Sequence, residues 1–103
     1  MVIELNENNF KNEINQWIVL VDFWANDCNP CIEMLKILND FSEINDKDLK
    51  IWKLNWDSNI SIVQEYRIMS APTLIVFKNW KPVEQLIWVQ SVEKLKEVTN
   101  KYL

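Results

Sequence analysis

The chemistry-bearing residues of this chain are concentrated in one hexapeptide, Asn26-Asp27-Cys28-Asn29-Pro30-Cys31, which holds both cysteines of a 103-residue chain that contains no histidine and no glycine. Cysteines at i and i+3 on one helical face have Cα atoms within the ~4.4–6.8 Å that a disulfide spans, so such a pair can close and open with little backbone movement. At a helix start the first sulfur, Cys28, meets unsatisfied backbone amides and the positive end of the helix dipole, which favour thiolate over thiol. Cys28 is therefore the candidate nucleophile, and Cys31, one turn further in, the candidate resolving thiol. A zinc tetrahedron needs three or four ligands, and without histidine or a third cysteine the only metal site would be one shared between two chains. The plainer alternative is two buried cysteines that act as small apolar side chains.

The segments around the hexapeptide are those a redox pair would need. Residues 18–25, IVLVDFWA, are β-branched and aromatic on both alternating faces, which predicts a central strand covered on both sides. Pro30 suits the first turn of a helix, and Met34, Leu35, Leu38, Phe41 and Ile44 recur at helical spacing, predicting a long helix over 30–45. Upstream, Asn6 as cap with Phe10, Ile14 and Trp17 predicts a helix over 7–16. Downstream come a strand over 49–56 and a capping group at Asp57/Ser58 before a short helix with Ile62, Val63 and Tyr66. A strand over 73–77, a turn at 78–81, a hairpin partner over 83–89 and a last helix from Ser91 follow, and the order is read as βαβαβαββα, with no range assigned to its first strand. Such an order predicts an α/β fold, a mixed sheet with helices on both faces, whose functional edge lies at the strand's C-terminal end.

Two residues outside the hexapeptide stand out. Asp22 interrupts the apolar central strand; an unpaired buried carboxylate is costly, so it either escapes to the strand's edge or has a task. Pro72, before the strand at 73–77, reads by itself as strand-entry punctuation.

Five fragments in order, "VDFWA" at 21–25, C-x-P-C at 28–31, "KLNWD" at 53–57, "APT" at 71–73 and "FKN" at 77–79, make the chain resemble thioredoxin over nearly its whole length. That resemblance implies one thioredoxin-like domain over 1–103, a central mixed sheet flanked by four helices, and dithiol–disulfide exchange with disulfide-containing proteins. No cofactor is implied beyond a redox-active Cys28–Cys31 disulfide, and a thioredoxin reductase is the implied electron donor. Pro72 matches the family's cis-proline opposite the cysteines, where the backbone of Ala71 would bond an extended substrate segment. Asp22 matches a buried aspartate that assists proton transfer at the resolving cysteine, and Lys53 a lysine near it whose charge offsets the carboxylate's. Trp24 matches a tryptophan packed beside the active site, and Trp24, Asp27, Asn29, Pro30, Ala71, Pro72 and Gln90 form the implied substrate surface.

Where the family reads Trp-Cys-Gly-Pro-Cys, this chain has Asp27-Cys28-Asn29-Pro30-Cys31. A carboxylate beside Cys28 should raise its pKa and weaken the nucleophile, and the lost tryptophan removes an exposed aromatic from the recognition face. Lys36 stands where the family usually has a helix-bending proline, and Ser70, Trp80 and Gln90 where glycines are expected. Any of those three held at positive φ costs on the order of 1–3 kcal/mol. Asn79-Trp80 does not suit a type I′ hairpin, so a different turn or a bulge is expected there.

Composition narrows the remaining options. A net charge of −4 with a single arginine, Arg67, leaves no basic stripe for nucleic acid, and the apolar runs fall well short of the ~20 residues that span a bilayer. A monomeric, cytoplasmic protein is expected. At the usual glycine frequency of about 7%, a chain of this length lacks glycine with a random probability on the order of one in two thousand. That leaves two classes of function: a thiol–disulfide oxidoreductase with altered activity, or an engineered or reduced-alphabet scaffold or binding domain on the same fold with little redox activity.

Overall fold

A computed structural model of the chain describes residues 2–15 and 17–103. Among the described residues five strands form one sheet in the order β1-β3-β2-β4-β5. β1 (Ile3–Leu5) and β2 (Ile18–Trp24) both run parallel to β3 (Lys50–Asn55), while β4 (Thr73–Lys78) is antiparallel to β2 and to β5 (Lys81–Ile87). Between them lie α1 (Phe10–Glu13), α2 (Asn29–Ile44), α3 (Ile60–Glu65) and, at the end, α4 (Val92–Asn100). The mixed sheet and the order read from the sequence are those observed.

β2 is the middle strand because both of its faces are apolar, and every residue from Ile18 to Phe23 is buried. Leu20 packs with Leu74, Met34 and Leu38 on the face covered by α2 and α4. Val19, Val21 and Phe23 pack with Phe10, Ile62 and Phe77 on the face covered by α1 and α3. β2 therefore ends, at Trp24, directly before the turn that opens α2, which brings the cysteines to the sheet's edge.

The first helix is shorter than the 7–16 expected. Asn6 does cap, its side-chain oxygen accepting from the amides of Asn8 at 2.8 Å and Asn9 at 3.2 Å and its carbonyl from Phe10 N–H at 3.0 Å, but residues 7–9 stay a turn that leads into the shorter α1. Trp17 falls outside α1 and is half exposed, its ring 4.9 Å from the Lys78 ammonium; Gln16, the last residue of the expected helix, lies outside the described residues. Nor do Asp57 and Ser58 cap α3, whose N-cap position is Asn59. α2 runs unbroken through Lys36.

The hairpin keeps the glycine-type turn despite its sequence. Asn79 and Trp80 sit at φ 50° and 59°, both left-handed as a two-residue primed turn requires, so the expectation of a rebuilt turn is corrected. The backbone is held there by Trp80 N–H donating to Ile14 C=O at 3.0 Å and Asn79 N–H to Trp17 C=O at 3.3 Å. A bulge does occur further along the ladder, where the register shifts between Val76 and Phe77 and Val83 is the extra residue. Of the three expected glycine replacements only Trp80 is left-handed; Arg67 at φ 54° and Trp88 at φ 80°, not Ser70 and Gln90, carry the positive φ in the other two regions. Trp80→Gly should therefore stabilise the fold by roughly 1 kcal/mol in urea unfolding, since it relieves a left-handed bulky residue. A loss of stability would show that contacts of the indole outweigh the relief.

Candidate functional site

The opening of α2 is built around a sulfur. Cys28 is the N-cap residue, extended at φ −121°, and its Sγ accepts from the Cys31 amide at 3.2 Å, while its carbonyl accepts from the Ile32 amide at 3.2 Å. The sulfur thus occupies the place of the usual Ser or Asp cap, one of the amides left unpaired at a helix start being aimed at it. Cys28 and Cys31 form a disulfide with Cα atoms 5.2 Å apart. Cys28 is partly accessible and Cys31 only 3% exposed, so a partner meets Cys28 first.

The turn before Cys28 is tied to the β3–α3 connection by residues to which sequence reasoning gave no such role. Trp56 N–H donates to Trp24 C=O at 2.6 Å, Asn26 N–H to the Asp57 carboxylate at 2.7 Å, and the Asn55 amide to Asn26 Oδ1 at 3.0 Å. Asn55 also accepts from Ser58 N–H, which fixes its own orientation. "KLNWD" was legible as a matching fragment, but nothing in its spacing distinguished Asp57 as a loop anchor from a helix cap. A cleft of about 480 Å³ lies beside the disulfide, lined by Trp24, Asn26, Asp27, Cys28, Ile32 and Leu35 among others. Asp27 is exposed at φ 52°, and Asn29 is exposed beside the partly buried Pro30.

The peptide bond between Ala71 and Pro72 is cis, as the resemblance implied. Cys28 Sγ lies 3.9 Å from the Ala71 carbonyl oxygen; in the disulfide this sulfur carries no proton, so the approach is a contact and not a hydrogen bond. Trp88 N–H donates to the Pro72 carbonyl at 3.0 Å, placing that left-handed tryptophan, more than half exposed, next to the proline. Gln90 uses its side-chain amide on the carbonyls of Ile87 and Trp88, and its backbone amide on the Met34 sulfur. The loop's exposed aromatic is therefore Trp88. Its place in the loop could have been found by asking which residue after the last strand must turn left-handed.

Asp22 does not escape to the edge. It is fully buried, neither carboxylate oxygen has a hydrogen-bond partner, and its carboxyl is pushed up from 3.8 to about 7. Burial is the main cause, the Lys53 ammonium opposes it and Glu4 adds to it. The three residues lie in one row across adjacent strands, Glu4 paired with Lys53 and Lys53 with Asp22. Lys53 Nζ is 3.9 Å from Glu4 Oε1, and the Trp24 indole N–H donates to Glu4 Oε2 at 3.1 Å. Glu4 was not singled out from sequence, where one acid in a short edge strand carries no signal.

A family model for thioredoxin matches residues 1–101. Among curated proteins, the thioredoxins of Staphylococcus epidermidis and Staphylococcus saprophyticus are each 37% identical over 102 residues, covering 99% of this chain and 98% of theirs. That of Staphylococcus aureus is 35% identical over the same coverage. A fold, a cis-proline and a capping disulfide of this arrangement, together with that match, make the chain a member of the thioredoxin family. Its chemistry is that of a thiol–disulfide oxidoreductase working through Cys28 and Cys31. Among the described residues no cluster of three His, Cys, Asp or Glu side chains could hold a metal ion, and no helix is long and apolar enough to cross a membrane.

The raised pKa of Asp22 makes stability depend on pH. Between 3.8 and about 7 the folded state binds a proton that the unfolded state has released, so this contribution is complete below 3.8 and is lost as pH rises through about 7. Asp22→Asn removes the ionisable group. It should leave stability near pH 4 almost unchanged and raise it at pH 8 by up to about 4 kcal/mol, as read from urea unfolding of the oxidised protein. A gain independent of pH would contradict the assignment.

Proposed function

We propose that the chain reduces disulfides of protein substrates, cycling between a Cys28/Cys31 dithiol and the Cys28–Cys31 disulfide. The observation that carries this reading is the cap geometry: the more accessible sulfur accepts the first-turn amide, beside Ala71, with its partner buried behind it. In the reduced protein the Cys28 thiolate attacks one sulfur of the substrate disulfide, and the other substrate sulfur leaves as a thiolate that takes a proton from water. Cys31 then gives its proton to the Asp22 carboxylate and attacks Cys28 in the mixed disulfide. The second substrate sulfur departs, two electrons have passed to the substrate, and the Cys28–Cys31 disulfide remains. Lys53 moderates the charge on Asp22, and Ala71 and Pro72 present backbone to an extended substrate segment. Trp24, Asp27, Asn29, Pro30 and Gln90 form the rim.

As a single monomeric domain in the cytoplasm, such a protein would be returned to its dithiol form by a thioredoxin reductase. Insulin reduction by dithiothreitol tests the reading: the wild-type chain should accelerate it and Cys28→Ser should not. Cys31→Ser should accumulate the mixed disulfide, seen by mass spectrometry. A wild-type rate no higher than the uncatalysed background would leave a fold with an idle disulfide.

Asp27 sets the strength of the nucleophile in this scheme. A carboxylate next to Cys28 opposes thiolate formation, although its exposure lets water weaken the effect. In Asp27→Asn the pH midpoint of Cys28 alkylation in the reduced protein should fall by about half a unit. An unmoved midpoint would show that solvent screens Asp27 completely.

A further inference from the structure

The row Glu4–Lys53–Asp22 contains two carboxylates and one ammonium, and the ammonium is not paired with the carboxylate that is buried. Lys53 is the register partner of both acids, lying between them on β3. Its ion pair is with Glu4, and Asp22 is left with no hydrogen bond to either oxygen. Glu4 is itself held in place, because its second oxygen accepts from the Trp24 indole N–H at the mouth of the active-site turn. The indole thus fixes Glu4, and Glu4 in turn fixes the direction of Lys53.

We propose that Glu4 is a positioning residue: by drawing the Lys53 ammonium toward β1 it withholds a direct partner from Asp22 and preserves the basicity of that carboxylate as the proton acceptor for Cys31. The physical reasoning is a competition. An ammonium hydrogen-bonded directly to Asp22 would hold it as a carboxylate of low basicity, poor at taking a thiol proton. An ammonium shared with a partly exposed acid still moderates the burial cost of Asp22 without neutralising its basicity. The other surroundings of Asp22 add no competing charge. β4 sets Leu74 opposite it, and α2, over that face, carries the cysteine pair, which is uncharged as a disulfide. Glu4 also adds directly to the upward shift of Asp22, so the direct and the Lys53-mediated effects need to be separated.

The inference rests on the proposed proton-acceptor role of Asp22, and its test reads Asp22 itself. Oxidised protein labelled with ¹³C at aspartate carboxyls is titrated by NMR as wild type, Glu4→Gln, Lys53→Met and the double variant. The Glu4 side chain is 44% exposed and glutamine can still accept from Trp24, so an unshifted Trp24 indole N–H resonance in the NMR spectrum verifies the local fold. In Glu4→Gln the Asp22 midpoint should fall by about half a pH unit, and in the Lys53→Met background the same substitution should produce less than half that shift. The low-pH limb of insulin reduction should move to lower pH in Glu4→Gln. An unmoved Asp22 midpoint, or an equal shift in both backgrounds, overturns the positioning role. If Asp22→Asn leaves the pH profile of reduction as in wild type, the acceptor reading of Asp22 fails, while the NMR shift still decides the role of Glu4.

Discussion

A helix with one first-turn amide capped by sulfur constrains everything else in this molecule. The Cys31 N–H to Cys28 Sγ bond caps the start of α2, and the same contact would stabilise negative charge on the sulfur that attacks in the proposed mechanism. It works only if Cys28 is extended, if α2 begins at the next residue and if the turn before it is fixed. Burial of β2 on both faces supplies the first requirement's rigid base. Pro30 in the first turn favours the second, and Asp57, Asn55 and the backbone of Trp56 supply the third.

Behind the cap, the sheet carries a cost that the apolar core does not require. Asp22 replaces what would otherwise be another aliphatic residue between Leu20 and Trp24, and its burial makes the folded state less stable as pH rises. Local rules of packing are broken at the position to which the proposed mechanism gives the proton acceptor, which is the pattern expected of a functional site. Lys53 and Glu4 extend that position to the sheet edge. Through Trp24 the charge row and the cleft beside the disulfide become parts of one arrangement.

The fold was legible because long periodic segments dominate it: residues 18–25 and 30–45 each declare their element through burial pattern alone. The cysteine spacing and the anomaly of Asp22 were legible from the residues, the cis bond before Pro72 only with the resemblance in hand. What the sequence concealed were effects of tertiary partners. Asn6, Asn8 and Asn9 turn the chain where apolar spacing suggested helix, and Asp57 anchors a loop 31 residues away in place of capping its neighbour. Glu4 acquires meaning only from strand register. The glycine question was legible in kind but not in place, because which residues must be left-handed depends on where β5 ends, and it ends at Ile87, before Trp88.

Among the described residues, this chain without glycine keeps five left-handed positions, at Asp27, Arg67, Asn79, Trp80 and Trp88. Two of them, Asp27 and Trp88, border the disulfide or the cis-proline, so backbone strain and the site coincide. The central claim, that Cys28 and Cys31 act as one two-electron couple, is tested most directly by equilibrating the protein with graded ratios of reduced and oxidised glutathione and counting free thiols by mass spectrometry. The account predicts a single two-electron transition in which both thiols disappear together, with no stable glutathione adduct. Separate one-thiol transitions, with glutathione retained on Cys28 and Cys31 still free, would contradict it.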